Sequence, residues 1–256
     1  MTPLEAMGVS MTFDPGPKLQ SMDIDEVATL PGLDQGKVGS VGDTIGLVAS
    51  QVPGHTAVIG FAGGPVTLLA YLLEGGGSKD FMSMRSALRS RPDAAAKALD
   101  RLAVAMNSYL ALQVEAGAEV VQLFDTWAGL LDQEGFDEFA VPAARRALDG
   151  LACPTIYFAP GAGHCLGAQR SVGATGIGVD WRIPIDQAFE ELPGHAIQGN
   201  LDPALLHADE SAVRKGVASV LDAVGGRTGH IMNLGHGIDR NTDPRMVEVF
   251  VEAVRS

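Results

Sequence analysis

The 256 residues carry 46% hydrophobic side chains and 31 acidic against 18 basic groups, a formal net charge of −13 that argues against phosphate backbones and anionic bilayer surfaces as partners. No apolar run reaches the ~20 residues of a membrane span, and Met1-Thr2-Pro3-Leu4-Glu5 lacks a signal-peptide pattern, so no membrane, no nucleic acid and a cytoplasmic location are expected. Cys153 and Cys165 form neither a C-x-x-C pair nor a disulfide framework and read as free thiols of a reducing compartment.

Along the chain, Pro3 to Met7 is expected to open a helix and Val9 to Phe13 to form an edge strand, with loops and short helices up to residue 57. From there two patterns alternate. Short apolar runs at 58–62, 120–124, 155–159, 176–180, 196–200 and 231–235 predict six buried strands. Between them, 67–75, 94–116, 137–149, 184–192, 209–223 and 243–254 predict helices, the Met and Leu positions of 94–116 forming a core-facing stripe. The length suits one domain over residues 1–256.

Strand–helix alternation implies a parallel sheet, either an open doubly wound one or a closed (β/α)₈ TIM barrel. No glycine fingerprint for a nucleotide follows a strand. Instead, polar residues end several different strands: Asp125 and Thr126, Asp180 and Trp181, Asn200 and Asp202, Asn233 and His236. Barrel enzymes assemble their sites in this way, so the barrel is preferred, two strands short of eight.

The residues also carry a family pattern. Gly60-Phe61-Ala62-Gly63-Gly64-Pro65 with Tyr71-Leu72-Leu73-Glu74-Gly75, then Gln122-Leu123-Phe124-Asp125-Thr126-Trp127-Ala128-Gly129, Gly178-Val179-Asp180-Trp181, Gln198-Gly199-Asn200-Leu201-Asp202-Pro203 and Asn233-Leu234-Gly235-His236-Gly237 follow one another in family order. The chain thereby resembles the uroporphyrinogen decarboxylases. That resemblance implies a TIM barrel that removes the four acetate carboxyl groups of uroporphyrinogen III to give coproporphyrinogen III, with a tetrapyrrole substrate and no metal or organic cofactor. By the same likeness the six strands are the third to the eighth, and the family's Arg-Gln-Ala-Gly-Arg segment and pyrrole-binding Asp have no counterpart. The barrel is therefore expected to lack its first two strands here, leaving a gap between its first and last strands and little activity in these residues alone.

Four positions inherit roles from the resemblance. Tyr71 matches a substrate-contacting tyrosine, Thr126 a hydroxyl that binds a carboxylate, Phe61 a residue packing on the macrocycle, and His236 an imidazole that binds a carboxylate or moves a proton. Tyr71 and His236 are the expected catalytic residues, and all four are expected to line one cleft. Without a ligand, Tyr71 reads as a packed amphipathic residue, Thr126 as a helix cap and Phe61 as core. Asp180-Trp181 and Asn200-Leu201-Asp202 read as loop organisers, and His230 as the start of a strand. Val66 stands where a family Trp is common. The resemblance further implies a homodimer of the full-length protein. Two alternatives stay open: a truncated, inactive decarboxylase-like fragment, and a zinc-dependent corrinoid or thiol methyltransferase, for which His164-Cys165 and Cys153 have the wrong spacing.

Overall fold

The computed structural model describes residues 1–13 and 16–256. A small antiparallel ribbon pairs β1 (Met11–Phe13) with β2 (Pro17–Leu19). The main sheet follows: β3 (Ile59–Gly63), β4 (Val120–Phe124), β5 (Thr155–Phe158), β6 (Gly176–Gly178), β7 (Ala196–Gln198) and β8 (His230–Ile231). They lie in sequence order, every neighbour parallel, as in six consecutive strands of a TIM barrel, and β3 and β8 do not pair.

Residue alternation sorts the two faces. Val121, Leu123, Tyr157, Ile177 and Ile197 point outward and are fully buried under helices. Phe61, Phe124 and Phe158 point inward and meet edge to face, with ring centroids 5.9 and 6.0 Å apart. The last strands are shorter than their apolar runs. Asp180 and Asn200 leave the ladder to hold loops: Asp180 Oδ1 accepts from the Arg182 amide (2.8 Å), and Asn200 Nδ2 donates to the Asp180 and Ile183 carbonyls.

The helices expected between strands are present as Pro65–Glu74, Pro92–Glu115, Val141–Leu148, Ile185–Glu191, Glu210–Val224 and Pro244–Arg255. Proline opens several at a position whose N–H needs no partner, and Asp209 and Asp243 cap theirs by accepting backbone N–H groups. Leu99, Leu102, Met106 and Leu110 form the buried stripe of Pro92–Glu115.

The N-terminal region corrects one expectation. Gln35–Gln51 is a 17-residue helix rather than loops, despite Gly36, Gly39, Gly42 and Gly46. Gly42 allows close approach to a neighbour, since a Cβ there would stand 3.3 Å from Leu112 Cδ2. The strand expected near Val9 is Met11–Phe13, which pairs with Pro17–Leu19, and Lys18 of that partner bridges to Gly76. A further amphipathic helix, Met82–Ser90, was not anticipated.

The free edge of β3, which borders the expected gap, is not bare. Gln113, reaching out of Pro92–Glu115, accepts from the Phe61 amide (2.8 Å) and donates to the Phe61 carbonyl (2.9 Å). Gly60 makes room, since a Cβ there would lie 2.8 Å from Gln113 Oε1. One side-chain amide thus replaces one rung of a missing strand and blunts an edge that would otherwise recruit another chain.

Candidate active site

At the C-terminal ends of β3 and β4 a buried carboxylate joins two loops. Asp125 Oδ1 accepts from both the amide and the hydroxyl of Thr67 (2.8 Å each), and the Thr67 oxygen accepts from the Trp127 amide (3.0 Å). The Tyr157 hydroxyl stands 3.5 Å from Oδ2. Burial raises the Asp125 carboxyl to about 6, against the Thr67 donors that favour its ionised form. Tyr157 is raised well above its ordinary range, first by burial and then by the Asp125 charge, so it faces Asp125 as a neutral phenol. Gly64 has no alternative here, since an added Cβ would fall 2.3 Å from Asp125 Cγ.

This junction sets Thr126 and Tyr71. Thr126 is half-buried between Asp125 and Trp127 and caps no helix; the next ones start from Trp127, without a side-chain cap, and from Asp132. Tyr71, on the second turn of Pro65–Glu74, meets Trp127 and Phe81 edge-on at 6.3 and 5.8 Å. Phe81 is fully buried at φ +47°, a strained conformation for a bulky residue that is held by its packing against Trp127 at 4.5 Å.

His236 occupies the other side of the barrel mouth. It lines a cleft of about 410 Å³ with Gln122, Phe124, Phe158, Gln198 and Asn233. Its loop lies against the turn after β6: a Cβ on Gly235 would meet Trp181 N at 2.4 Å, and the His236 and Trp181 rings make an edge contact at 6.1 Å. A wider depression of about 770 Å³ continues along Ile238 and along Val247 and Val251 of the C-terminal helix, without a histidine or hydroxyl beyond Thr242.

The expected residues therefore form two groups. Phe61 borders the His236 cleft through Phe124, whereas Tyr71 belongs to the aromatic cluster around Trp127, Thr126 directly precedes Trp127, and neither is among the cleft's lining residues. Sequence reasoning missed the Asp125–Thr67 lock and the inward glutamines Gln122 and Gln198. A polar residue at an inward position of an apolar strand is the signal that marks the glutamines. For zinc, no group of three His, Cys, Asp or Glu converges among the described residues. His164 Nε2 is held at 2.7 Å by the Leu131 carbonyl, and the Cys165 thiol is pushed up to about 11 by burial and then by Asp137 and Asp132.

The family model for uroporphyrinogen decarboxylase (URO-D) matches residues 1–256. The chain is 40% identical over 264 residues to a uroporphyrinogen decarboxylase of Streptomyces coelicolor, covering 100% of this chain and 74% of that protein, and 40% identical over 269 residues to one of Rhodococcus opacus, covering 100% and 76%. It spans about three quarters of the length of these relatives. Among solved structures, a methyltransferase from Methanosarcina mazei superposes with a TM-score of 0.85 at 21% identity over 99% of this chain and 77% of that one. A B12-independent methionine synthase from a Shewanella species does so with 0.61 at 12% identity, over 84% and 64%. These two share the barrel fold; the full-length family match and the 40% identities show that the chain belongs to the uroporphyrinogen decarboxylase family.

Proposed function

We propose that the barrel mouth binds uroporphyrinogen III and that its four acetate side chains are decarboxylated there to give coproporphyrinogen III. The observation that carries this reading is the His236 cleft, open at the C-terminal ends of the strands and floored by Phe124 and Phe158, in a chain that matches the family along its whole length. An apolar floor suits a macrocycle face, and polar groups at the rim suit its carboxylates.

In each step a pyrrole ring carbon takes a proton, the C–CO₂ bond breaks, its electron pair flows into the cationic ring, and the acetate methylene ends as methyl after the proton shifts. The pyrrole is its own electron sink, so the proposed reaction requires no metal or organic cofactor. His236 binds a carboxylate or moves a proton, Tyr71 and Thr126 offer hydroxyls to the substrate, and Phe61 extends the apolar floor. The four act on one substrate only if it bridges the His236 cleft and the Trp127 cluster. We assign residues 1–256 to one barrel domain, working as a homodimer in the cytoplasm.

Residues 1–256 contain no counterpart of the arginine segment and pyrrole-binding Asp that the resemblance places before them. A protein limited to these residues is expected to turn over at least ~10²-fold more slowly than one that has the segment, because a preorganised electrostatic group is lost. The test is anaerobic coproporphyrinogen formation by a protein that includes the segment, with His236→Asn and Tyr71→Phe compared at equal melting temperature. Each is expected to lower kcat at least tenfold, and wild-type turnover in both would remove them from the site.

A further inference from the structure

The substrate class proposed above is a polyanion, whereas the chain carries a net charge of −13, so cations placed at the mouth must act locally. The loop after β6 holds one. The guanidinium carbon of Arg182 lies 3.9 Å from the Trp181 ring centroid, and Trp181 makes the edge contact with His236. Arg182 Nη1 is 3.2 Å from Oδ2 of Asp180, whose side chain is only 1% exposed and also accepts from the Gly161 amide (2.5 Å). The Arg182 side chain itself is 57% exposed. Arg182 and Trp181 line a groove of about 420 Å³ with Asn200, Asp202 and Leu205, closed on its far side by Ser219 and Val220 of the helix Glu210–Val224 and separate from the His236 cleft; the Asp202 carboxylate there is turned onto the Ala204 amide (2.9 Å). Asp186 lines the same groove.

We propose that Arg182 is a carboxylate-binding residue for the tetrapyrrole's side chains, a second anionic subsite beside His236. This rests on the reading of the mouth given above. The buried Asp180 holds Nη1 and the Trp181 face fixes the guanidinium plane, leaving the Nε–Nη2 edge for a carboxylate in two-point geometry. Stacking holds the guanidinium in place before binding and so lowers the entropy lost on binding. The ligand class is a side-chain carboxylate on a large apolar ring, which separates this subsite from one for a free anion.

The test titrates uroporphyrin, with eight carboxylates, and coproporphyrin, with four, into the wild-type chain, R182Q, R182K and H236N at several salt concentrations, following quenching of tryptophan fluorescence. R182Q is expected to weaken uroporphyrin binding on the order of tenfold or more and to flatten its salt dependence. R182K is expected to keep the salt dependence but lose several-fold in affinity, because it keeps the charge without the planar fork. Wild-type affinity and salt dependence in R182Q would make Arg182 only a partner of Asp180, whatever H236N does. Should R182Q fail to fold, R182K decides: unchanged affinity there overturns the proposal. Absence of uroporphyrin binding by the wild-type chain would overturn the reading of the mouth itself, while wild-type binding by H236N would leave His236 its proton-moving role alone.

Discussion

The middle of the sheet and its two margins are built from the same kinds of residue but meet different surroundings. In β4, β5 and β6 the outward side chains are sealed under helices, and inward Phe158 is 9% exposed. At the margins, inward Ile59, Phe61 and Ile231 are 46%, 62% and 42% exposed. Apolar strand residues therefore mean core in the middle and an open binding or pairing surface at the edges. The difference lies in whether a neighbouring strand is present, which no single residue encodes.

The strongest way to break that contrast is to truncate the same side chain in both places. Phe158→Ala is expected to cost about 3 to 5 kcal/mol of stability, and Phe61→Ala less than about 1, because little of the Phe61 ring leaves water on folding. Equal losses in chemical denaturation would mean that Phe61 is buried in solution. Conversely, only Phe61→Ala is expected to weaken porphyrin binding without lowering stability.

Next in size is the buried charge at the junction of β3 and β4. The Asp125 carboxyl is raised from 3.8 to about 6, so the folded chain binds this proton more tightly than the unfolded one. Its contribution is fully present below about pH 4 and is lost as pH rises through about 6, a difference of about 3 kcal/mol. Asp125→Asn abolishes that titration. The stability of wild type relative to Asp125→Asn should fall by up to about 3 kcal/mol between pH 4 and pH 7.5, and a pH-independent difference would show that Asp125 is not buried as a carboxylate.

The smallest of these effects concerns the covered margin. Gln113→Leu leaves the Phe61 amide and carbonyl without their side-chain partner, with an expected cost of about 1 kcal/mol or more. It should also promote concentration-dependent association, seen by light scattering, as the freed edge pairs with another chain. A monodisperse variant with unchanged stability would show that Gln113 does not guard the edge.

Much of this was legible in the sequence for a definite reason. Buried parallel strands need nearly continuous apolar runs, and 120–124 reads as a strand because Val120, Val121, Leu123 and Phe124 surround its one polar residue, Gln122. The strands after Gly176 were read too long because their last residues, Asp180 and Asn200, look continuous with the run but serve as loop anchors. The Gln35–Gln51 helix was hidden by its four glycines, which propensity alone counts against a helix, although Gly42 serves close approach to Leu112. At the site, His236 stood out through its motif. The Asp125–Thr67 bond joins residues 58 positions apart and became visible only once β3 and β4 were paired.

The most direct test of the central claim, that the His236 side of this barrel mouth is a uroporphyrinogen decarboxylase site, is anaerobic product analysis on two proteins without added metal or cofactor. One consists of residues 1–256, and the other is the same residues joined to the first two barrel strands of a relative. The joined protein is expected to form coproporphyrinogen and to lose at least tenfold in kcat on His236→Asn, while residues 1–256 alone remain at least ~10²-fold slower. Full turnover by residues 1–256 alone, or by the joined protein carrying His236→Asn, would contradict the account.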